Sequence, residues 1–294
     1  MRTYLDCYPC LLGQALEASR RAGADAEAQR EILREVLKLL EGIPPQSVPP
    51  EINRVVHRLV REAMGNADPY EEAKWRSTDE ALSLLPWMKR QVQDAPDRLE
   101  AAARFAIAGN IIDAIPGRQY DLREEIRRVL DKPLTINHLD GLRSALEAAE
   151  WVLYLADNAG ETVCDRPLLE LIEAPVTYAV KGSPVANDAT LEDALAAGVD
   201  QEAKLMSTGS DAAGTLLETC SIGFRETFRE APMIIAKGQA NYECLSELGP
   251  RVFFLLQAKC PVLARDVGVP TGSTILLQGQ GNGGSGISCK GKEI

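Results

Sequence analysis

The chain has 294 residues, a formal net charge of −11 at pH 7 and 45% hydrophobic residues. This length predicts one large domain or two unequal domains with a sizeable core. The acidic balance argues against non-specific nucleic-acid binding, which needs clustered Lys and Arg, and no apolar run reaches the roughly 18 residues of a membrane span. The seven cysteines are scattered and odd in number, which fits a reducing compartment, and we expect a cytoplasmic protein.

The first 150 residues are predicted to be helical. Apolar residues at helical spacing predict helices over 11–22, 26–40, 51–63, 70–92 and 99–108. No alternating strand pattern interrupts them. We expect an all-helical N-terminal domain over residues 1–95, which we interpret as a cap or interaction layer.

From residue 142 onward, a helix is followed by short apolar runs that alternate with further helical segments. The runs predict strands at 151–156, 176–180, 204–206, 233–236, 252–258 and 274–277. Repeated alternation of this kind is typical of parallel βαβ units with right-handed crossovers. We expect an α/β domain over residues 96–278, followed by a flexible glycine-rich tail over 279–294.

Polar residues follow four of the predicted strands. Asp157 and Asn158 follow the first, and Lys181, Lys237 and Lys259 follow three later ones. The carboxyl ends of parallel strands meet at one edge of the sheet, where α/β proteins bind ligands. A single lysine there would be an ordinary solvated strand end, but charged residues at the ends of four strands together predict a site.

Hard oxygen ligands gather in this predicted crevice. Asp157 and Asn158 offer a carboxylate and an amide, and Asp188 in the next strand-end loop offers a second carboxylate. Such ligands favour Mg²⁺ or Mn²⁺, which take one or two carboxylates together with substrate phosphate oxygens. A cation and several lysines around one cavity predict a site that stabilises a transferring phosphoryl group.

Other phosphate and nucleotide motifs do not fit. The segment DNAGE has one glycine where a dinucleotide-binding turn needs three, and no P-loop is present. Ala159 stands where a haloacid-dehalogenase-type phosphatase has its second Asp. No G-x-S-x-G elbow occurs, which argues against a serine hydrolase.

Two further motifs are weaker. Asn110 and Asp113 would share one helix face if the helix continues past residue 109, which suits a cap or a core hydrogen bond as well as a site. Cys7 and Cys10 form a CxxC pair without a second pair nearby to complete a zinc site. We favour a packing role for this pair, with an accessory metal or redox role as the alternative.

The ordered combination of DNAGE, KGSPVANDAT, KGQANYE and AKC resembles the metal-dependent damage-control phosphatases, first catalogued as domain of unknown function 89. The Cys7–Cys10 motif resembles the CxxC of the prokaryotic subgroup of that family. The resemblance runs from this motif to about Leu277. It implies a helical N-terminal domain on a Rossmann-like, three-layer α/β/α domain with a mostly parallel sheet.

The resemblance also implies roles for individual residues. The family's metal ligands match Asp157, Asn158 and Asp188, and its catalytic set adds Glu161. The positions that contact phosphate or substrate, extended by the neighbouring Asn187 and the strand-end Lys237, are Lys181, Asn187, Lys237, Gln239, Asn241, Tyr242, Lys259, Asn110 and Asp113. Members of the family use Mn²⁺, Co²⁺, Ni²⁺ or Mg²⁺.

We therefore expect a metal-dependent phosphomonoester hydrolase that acts on a small phosphorylated metabolite, either a sugar phosphate or a damaged phosphometabolite. Asp157 or Glu161 would act as the base, and the sequence does not choose between them. Two alternatives stay open: an S-adenosylmethionine-dependent carboxyl methyltransferase, an activity attached to part of the family, and a non-enzymatic phosphometabolite-binding protein. The sequence specifies neither the oligomeric state nor the physiological metal.

Overall fold

A computed structural model describes residues 1–44, 46–111 and 122–280 of the chain. Within these ranges, seven strands form one sheet. The strands are β1 (Ile136–Asn137), β2 (Val152–Leu155), β3 (Val176–Val180), β4 (Lys204–Ser207), β5 (Met233–Lys237), β6 (Val252–Gln257) and β7 (Thr274–Gln278).

The sheet has the strand order β1-β7-β6-β5-β2-β3-β4. All neighbouring strands are parallel except β6 and β7, which are antiparallel. The prediction of an α/β fold with a mostly parallel sheet is therefore confirmed. Because β3 and β4 lie on one side of β2 and β5 and β6 on the other, the order reverses at β2, where α/β proteins form their ligand crevice.

Helices connect these strands and precede them. In the described ranges they are α1 (Cys7–Arg21), α2 (Ala26–Glu41), α3 (Pro49–Met64), α4 (Glu71–Asp94), α5 (Arg98–Ala108), α6 (Leu122–Leu130), α7 (Leu139–Ala148), α8 (Glu161–Leu169), α9 (Leu191–Ala196), α10 (Ile222–Glu230), α11 (Gly238–Leu245) and α12 (Pro261–Val267). The five helices predicted in the N-terminal part are all present. None of the helices in the described part of the chain has the length and apolarity that a membrane crossing requires.

Local signals explain where several helices begin. The side chain of Asp25 accepts hydrogen bonds from the backbone N–H groups of residues 27 and 28, which caps α2. Asp97 caps α5 in the same way through the N–H of Glu100. Two elements of the structure were not predicted from the sequence. Strand β1 has only two residues, which is too short to show a strand period, and helix α6 was not recognised.

Both faces of the sheet are covered. Val152 and Tyr154 of β2 point into a core shared with α4, α5 and α8, whereas Leu153 and Leu155 point into a second core shared with α10, α11 and α12. This alternation follows from the two-residue period of a strand. Because both faces are buried, β2 is a continuous apolar run, which is the feature that the sequence showed.

The first three helices have a core of their own. Leu11, Val36 and Val56, one from each helix, are among its buried residues. By contrast, α4 contributes Leu85 and Met88 to the core on the sheet. The proposed division of the chain at residue 95 stays a prediction.

An ionic cluster joins α3 to the loop that follows β4. The guanidinium groups of Arg54, Arg58 and Arg61 all bind the carboxylate of Asp211. Successive turns of one helix thus hold a single loop residue. This contact keeps α1–α3 next to the carboxyl edge of the sheet, where the predicted site lies.

Candidate active site

Two strand-end loops are joined by backbone hydrogen bonds at the predicted crevice. The N–H of Ala189 donates to the carbonyl of Asp157 at 2.8 Å, and the N–H of Ala159 donates to the carbonyl of Asn187 at 2.9 Å. This pairing forms an isolated antiparallel bridge between Asn158 and Asp188. The three residues predicted as metal ligands are therefore neighbours, and all three are buried.

Two amide side chains hold the carboxylates of this site in place. Asn110 Nδ2 donates to Asp157 Oδ2 and to Glu161 Oε2, both at 2.9 Å. Asn158 Nδ2 donates to the same two oxygens at 3.3 and 3.1 Å. The predicted connection between Asn110 and the crevice is thus present in the structure, whereas Asp113 lies outside the described residues.

Lys237 lies below these carboxylates and is completely buried. Its ammonium is 2.5 Å from Glu161 Oε1 and 2.5 Å from Asp165 Oδ1. Asp165 also accepts hydrogen bonds from the hydroxyls of Tyr154 and Tyr178, at 2.8 and 2.7 Å. The predicted phosphate-binding Lys237 is thus engaged with two acids, and a positioning role suits it better than contact with substrate.

Lys181 approaches the second predicted metal-ligating carboxylate. Its Nζ lies 3.4 Å from Asp188 Oδ2, an ion-pair distance without hydrogen-bond geometry. The same ammonium donates long hydrogen bonds to the carbonyls of Ala156 and Gly214, at 3.4 and 3.5 Å. Asp188 Oδ2 is buried and has no hydrogen-bond partner among the described residues.

A cavity of about 390 Å³ opens above this loop pair. Asp157, Asn158 and Asp188 line one side of it, together with Asn110. The rest of the lining comes from α1, α3, α11 and the segment around the start of α12, and it includes Cys7, Cys10, Gln14, Asn53, Gln239, Glu243, Lys259 and Cys260. The cavity therefore lies between the first three helices and the carboxyl edge of the sheet.

Several predicted contact residues do not line this cavity. Asn187 contributes its backbone carbonyl to the loop pairing. Asn241 donates to the carbonyls of Ala156 and Lys237, at 3.2 and 2.8 Å, and therefore fixes the backbone beneath the site. The hydroxyl of Tyr242 donates to Asp266 Oδ2 at 3.1 Å. For these residues a supporting role fits the geometry, while Gln239 and Lys259 keep their predicted place in the cavity.

The cavity carboxyl groups hold protons unusually strongly. Burial raises the pKa of Asp157 well above its ordinary value, and the nearby Glu161 and Asp188 raise it further. Burial also raises the pKa of Asp188 to about 6, against the opposing charge of Lys181. The protein charges alone thus do not fully stabilise these two carboxylates in their ionised forms.

This donor set fits a divalent metal. Asp188 Oδ2 and Asn110 Oδ1 are buried oxygens without hydrogen-bond partners among the described residues, and a cation would satisfy such atoms. Within residues 1–44, 46–111 and 122–280, no group of three or more His, Cys, Asp or Glu side chains is arranged to hold a metal. Two carboxylates with amide oxygens form the open kind of set that Mg²⁺ or Mn²⁺ uses with phosphate.

The two cysteines of the CxxC motif are free thiols at the cavity. Burial is the main cause that raises the pKa of both thiols, with Glu243 and Cys260 contributing. A raised thiol pKa lowers the fraction of reactive thiolate. The packing role favoured for Cys7 and Cys10 and the alternative metal or redox role both stay predictions.

Two features require glycine at position 238, which lies directly beside Asp157: the backbone conformation and the lack of space for a Cβ atom. It has φ = +77°, and a Cβ atom there would overlap Asp157 Oδ2. We predict that Gly238→Ala destabilises the protein by more than the about 1–2 kcal/mol that a left-handed alanine costs, because the carboxylate must also move. Gly268→Ala is the matched control for urea denaturation, since Gly268 has φ = +80° with nothing within 4 Å. Equal losses in the two variants would contradict this prediction.

Sequence reasoning missed two acids of this region. Asp165 lies four residues after Glu161 on α8, a spacing that places both on one helix face and that was the available signal. Glu243 ends the KGQANYE motif four residues after Gln239, and Gln239 Nε2 donates to Glu243 Oε1 at 2.7 Å. Glu243 lines the cavity.

Comparison with known proteins finds relatives along nearly the whole chain. The model of the damage-control phosphatase ARMT1-like domain matches residues 3–275. A damage-control phosphatase of Pyrococcus horikoshii is 35% identical over 285 residues, which are 95% of this chain and 98% of that protein. A damage-control phosphatase of Archaeoglobus fulgidus is 34% identical over 280 residues, 92% of this chain and 96% of that protein.

Two further similarities extend along the chain. An uncharacterized protein of Methanocaldococcus jannaschii is 34% identical over 286 residues, 93% of this chain and 94% of that protein. The crystal structure of the Pyrococcus horikoshii protein already mentioned, described as a DUF89 family protein, superposes with a TM-score of 0.88 at 34% identity, covering 95% of this chain and 100% of that one. The chain therefore belongs to the damage-control phosphatase ARMT1-like domain family.

Proposed function

We propose that this protein is a phosphatase that hydrolyses small phosphate esters, sugar phosphates or damaged phosphometabolites, with a divalent metal. The observation that carries the proposal is the pair of buried carboxylates, Asp157 and Asp188, at one side of a cavity that also contains Lys259. Two relatives named damage-control phosphatases match nearly the whole chain and support the same activity.

The metal would be held by Asp157, Asn158 and Asp188. When bound, a divalent metal polarises the phosphate and activates the attacking water. We propose Mn²⁺, Mg²⁺, Co²⁺ or Ni²⁺ for this role. Asp188 Oδ2, which has no hydrogen-bond partner among the described residues, is an atom that such a charge would satisfy.

The chain's own residues then bind and orient the ester. Lys259 lines the cavity and would neutralise phosphate oxygens. Asn110 and Asn158 hold Asp157 in a fixed position through their amide donors. This arrangement keeps the reacting groups in place before the substrate arrives, which lowers the entropic cost of the reaction.

The two acids proposed as the base, Asp157 and Glu161, differ in their surroundings. Glu161 is fully buried, and its two oxygens accept from Lys237, Asn110 and Asn158. Asp157 lines the cavity. We therefore propose Asp157 as the group that accepts a proton at the metal side and Glu161 as a residue that positions it.

A panel assay tests the proposed function. Protein stripped with a chelator is reloaded separately with Mg²⁺, Mn²⁺, Co²⁺ or Ni²⁺ and assayed for phosphate release from sugar phosphates and nucleotides. We predict release that depends on the metal and disappears when chelator is restored. Metal binding without release from any ester would contradict the phosphatase and favour a non-enzymatic binding protein, and methyl transfer from S-adenosylmethionine would then be assayed.

A further inference from the structure

A buried carboxyl group lines the same cavity as the proposed metal-binding loops. Glu243, on α11, is 5% exposed and lines the cavity together with Asp157 and Asp188. Its charge raises the pKa of the Cys7 and Cys10 thiols, which line the same cavity. Glu243 is therefore close to these two thiols at the cavity.

One oxygen of this carboxyl group accepts a hydrogen bond, and the other accepts none from the described residues. Gln239 Nε2 donates to Glu243 Oε1 at 2.7 Å and contacts Cys260 Sγ at 3.5 Å. No described residue forms a hydrogen bond with Glu243 Oε2. An amide donor on Oε1 fixes that oxygen as the acceptor, so a proton on this carboxyl group resides on Oε2.

Hydrolysis of an alkyl phosphate needs an acid as well as a metal. The leaving oxygen departs as an alkoxide, a strong base, unless a positioned group gives it a proton. Asp6 also lines the cavity but is exposed and paired with Arg265. Glu243 is buried, lines the cavity with the proposed metal ligands, and has an Oε2 atom without a hydrogen bond from the described residues.

We propose that Glu243 is the general acid that protonates the leaving oxygen of the phosphate ester. Water forms the new P–O bond, and the ester P–O bond breaks with its electron pair passing to the ester oxygen. That oxygen takes the proton of Glu243 Oε2 and leaves as an alcohol. Asp157 accepts one proton of the attacking water, and this proton later returns to Glu243 through solvent. The proposal rests on the phosphatase function proposed above.

The surroundings of Glu243 keep it protonated near neutral pH. Burial raises its pKa to about 7, the nearby Asp266 raises it further, and the Gln239 side chain and the α-amino group of Met1 oppose this. The other titratable groups around it are the thiols of Cys7, Cys10 and Cys244, and Lys259 lines the same cavity. A group with this pKa holds its proton at pH 6 and loses it as the pH rises above about 7.

Leaving-group dependence tests the proposal. Glu243→Gln is assayed with the alkyl phosphate ester that ranks first in the panel and with p-nitrophenyl phosphate, whose stable phenolate departs without a proton. We expect a loss of about 100-fold or more in kcat on the alkyl ester and little change on the nitrophenyl ester. Retained turnover of the nitrophenyl ester also shows that the variant is folded and binds metal.

The pH profile gives an independent readout. In the wild type, kcat on the alkyl ester should fall as the pH rises through about 7, and Glu243→Gln should lack this fall. Glu243→Asp should restore part of the activity and the fall. Glu247→Gln, an exposed site just beyond α11, is the matched control and should behave as the wild type.

Each result separates the acid proposal from the proposed function. An equal loss on both esters, or no loss on the alkyl ester, overturns the general acid and leaves the phosphatase intact. An unchanged pH profile in Glu243→Gln overturns it as well. A wild type that releases no phosphate from any ester with any metal overturns the phosphatase function itself.

Discussion

Asp188→Asn is expected to abolish metal-dependent phosphate release while the protein remains folded. The substitution keeps the shape of the side chain but removes the negative charge at Oδ2, a buried oxygen without a hydrogen-bond partner among the described residues. Changes around a metal site that leave the ligands intact already cost about 10- to 100-fold, so loss of a proposed ligand should cost at least about 100-fold. Phosphate release and calorimetric binding of Mn²⁺ measure both effects.

The stability of the metal-free protein provides the fold control. Burial raises the pKa of Asp188 from its ordinary 3.8 to about 6. Between these two pH values the folded state binds more protons than the unfolded state, so the free energy of unfolding should rise as the pH falls from 6 towards 4. Asp188→Asn should lack this dependence on pH, and a cooperative urea transition of the metal-free variant would show that it is folded.

Two further variants complete the test. Asp157→Ala should lose the same activity, because Asp157 is its partner in the proposed metal site. Asp200→Asn makes the same change as Asp188→Asn at an exposed position and should keep full activity. Full metal-dependent turnover in Asp188→Asn or Asp157→Ala would overturn the site assignment.

Much of the fold could be predicted because the strands of a buried parallel sheet are visible in the sequence. The apolar run ending at Leu155 needs no alternation, since both of its faces are covered. β1 escaped prediction because two residues, Ile136 and Asn137, show no period. Its place in the sheet comes from pairing with β7, a tertiary contact that local pattern does not encode.

The sequence predicted residues for the site, but it did not predict the direction in which each side chain points. Asp157, Asn158 and Asp188 could be predicted to lie together because parallel strands bring their carboxyl ends to one edge. The sequence indicated that Lys237 ends a strand, but not that its ammonium turns into the protein towards Glu161 and Asp165. A strand-end residue takes either direction, and only the packing of α8 beneath the loop decides between them.

Local sequence patterns could not predict that residues from distant parts of the chain line one cavity. Cys7 and Glu243 are separated by more than two hundred positions in the chain, yet both line the cavity. The contact depends on how α1 and α3 sit against the sheet, which the Asp211 cluster and the surrounding core determine. Motif reading therefore brought together the proposed metal ligands but did not single out Glu243, which lines the same cavity.

Lys237→Met is expected to have the largest effect on stability of the substitutions considered. The ammonium lies 2.5 Å from the carboxylates of Glu161 and Asp165, and none of the three side chains is exposed. Removing one partner of a buried ion pair costs about 3–5 kcal/mol, because the remaining charges have neither water nor a counter-ion. Urea denaturation at pH 7 measures this loss against Lys204→Met, a control at the exposed first residue of β4.

Acidic pH should partly rescue the Lys237→Met variant, which separates lost charge from lost packing. Burial already raises the pKa of Asp165 to about 6 while Lys237 opposes the shift, so removal of the lysine should raise it further. The folded variant then binds protons that the unfolded chain releases, and its free energy of unfolding should increase as the pH falls from 7 to 5. Adding Glu161→Gln and Asp165→Asn should restore stability at pH 7, since no uncompensated charge remains. If the loss of stability is independent of pH and unchanged in the triple variant, Lys237 contributes through packing and not through its charge. The positions of Asn110 and Asp157 would then not depend on the charge of Lys237.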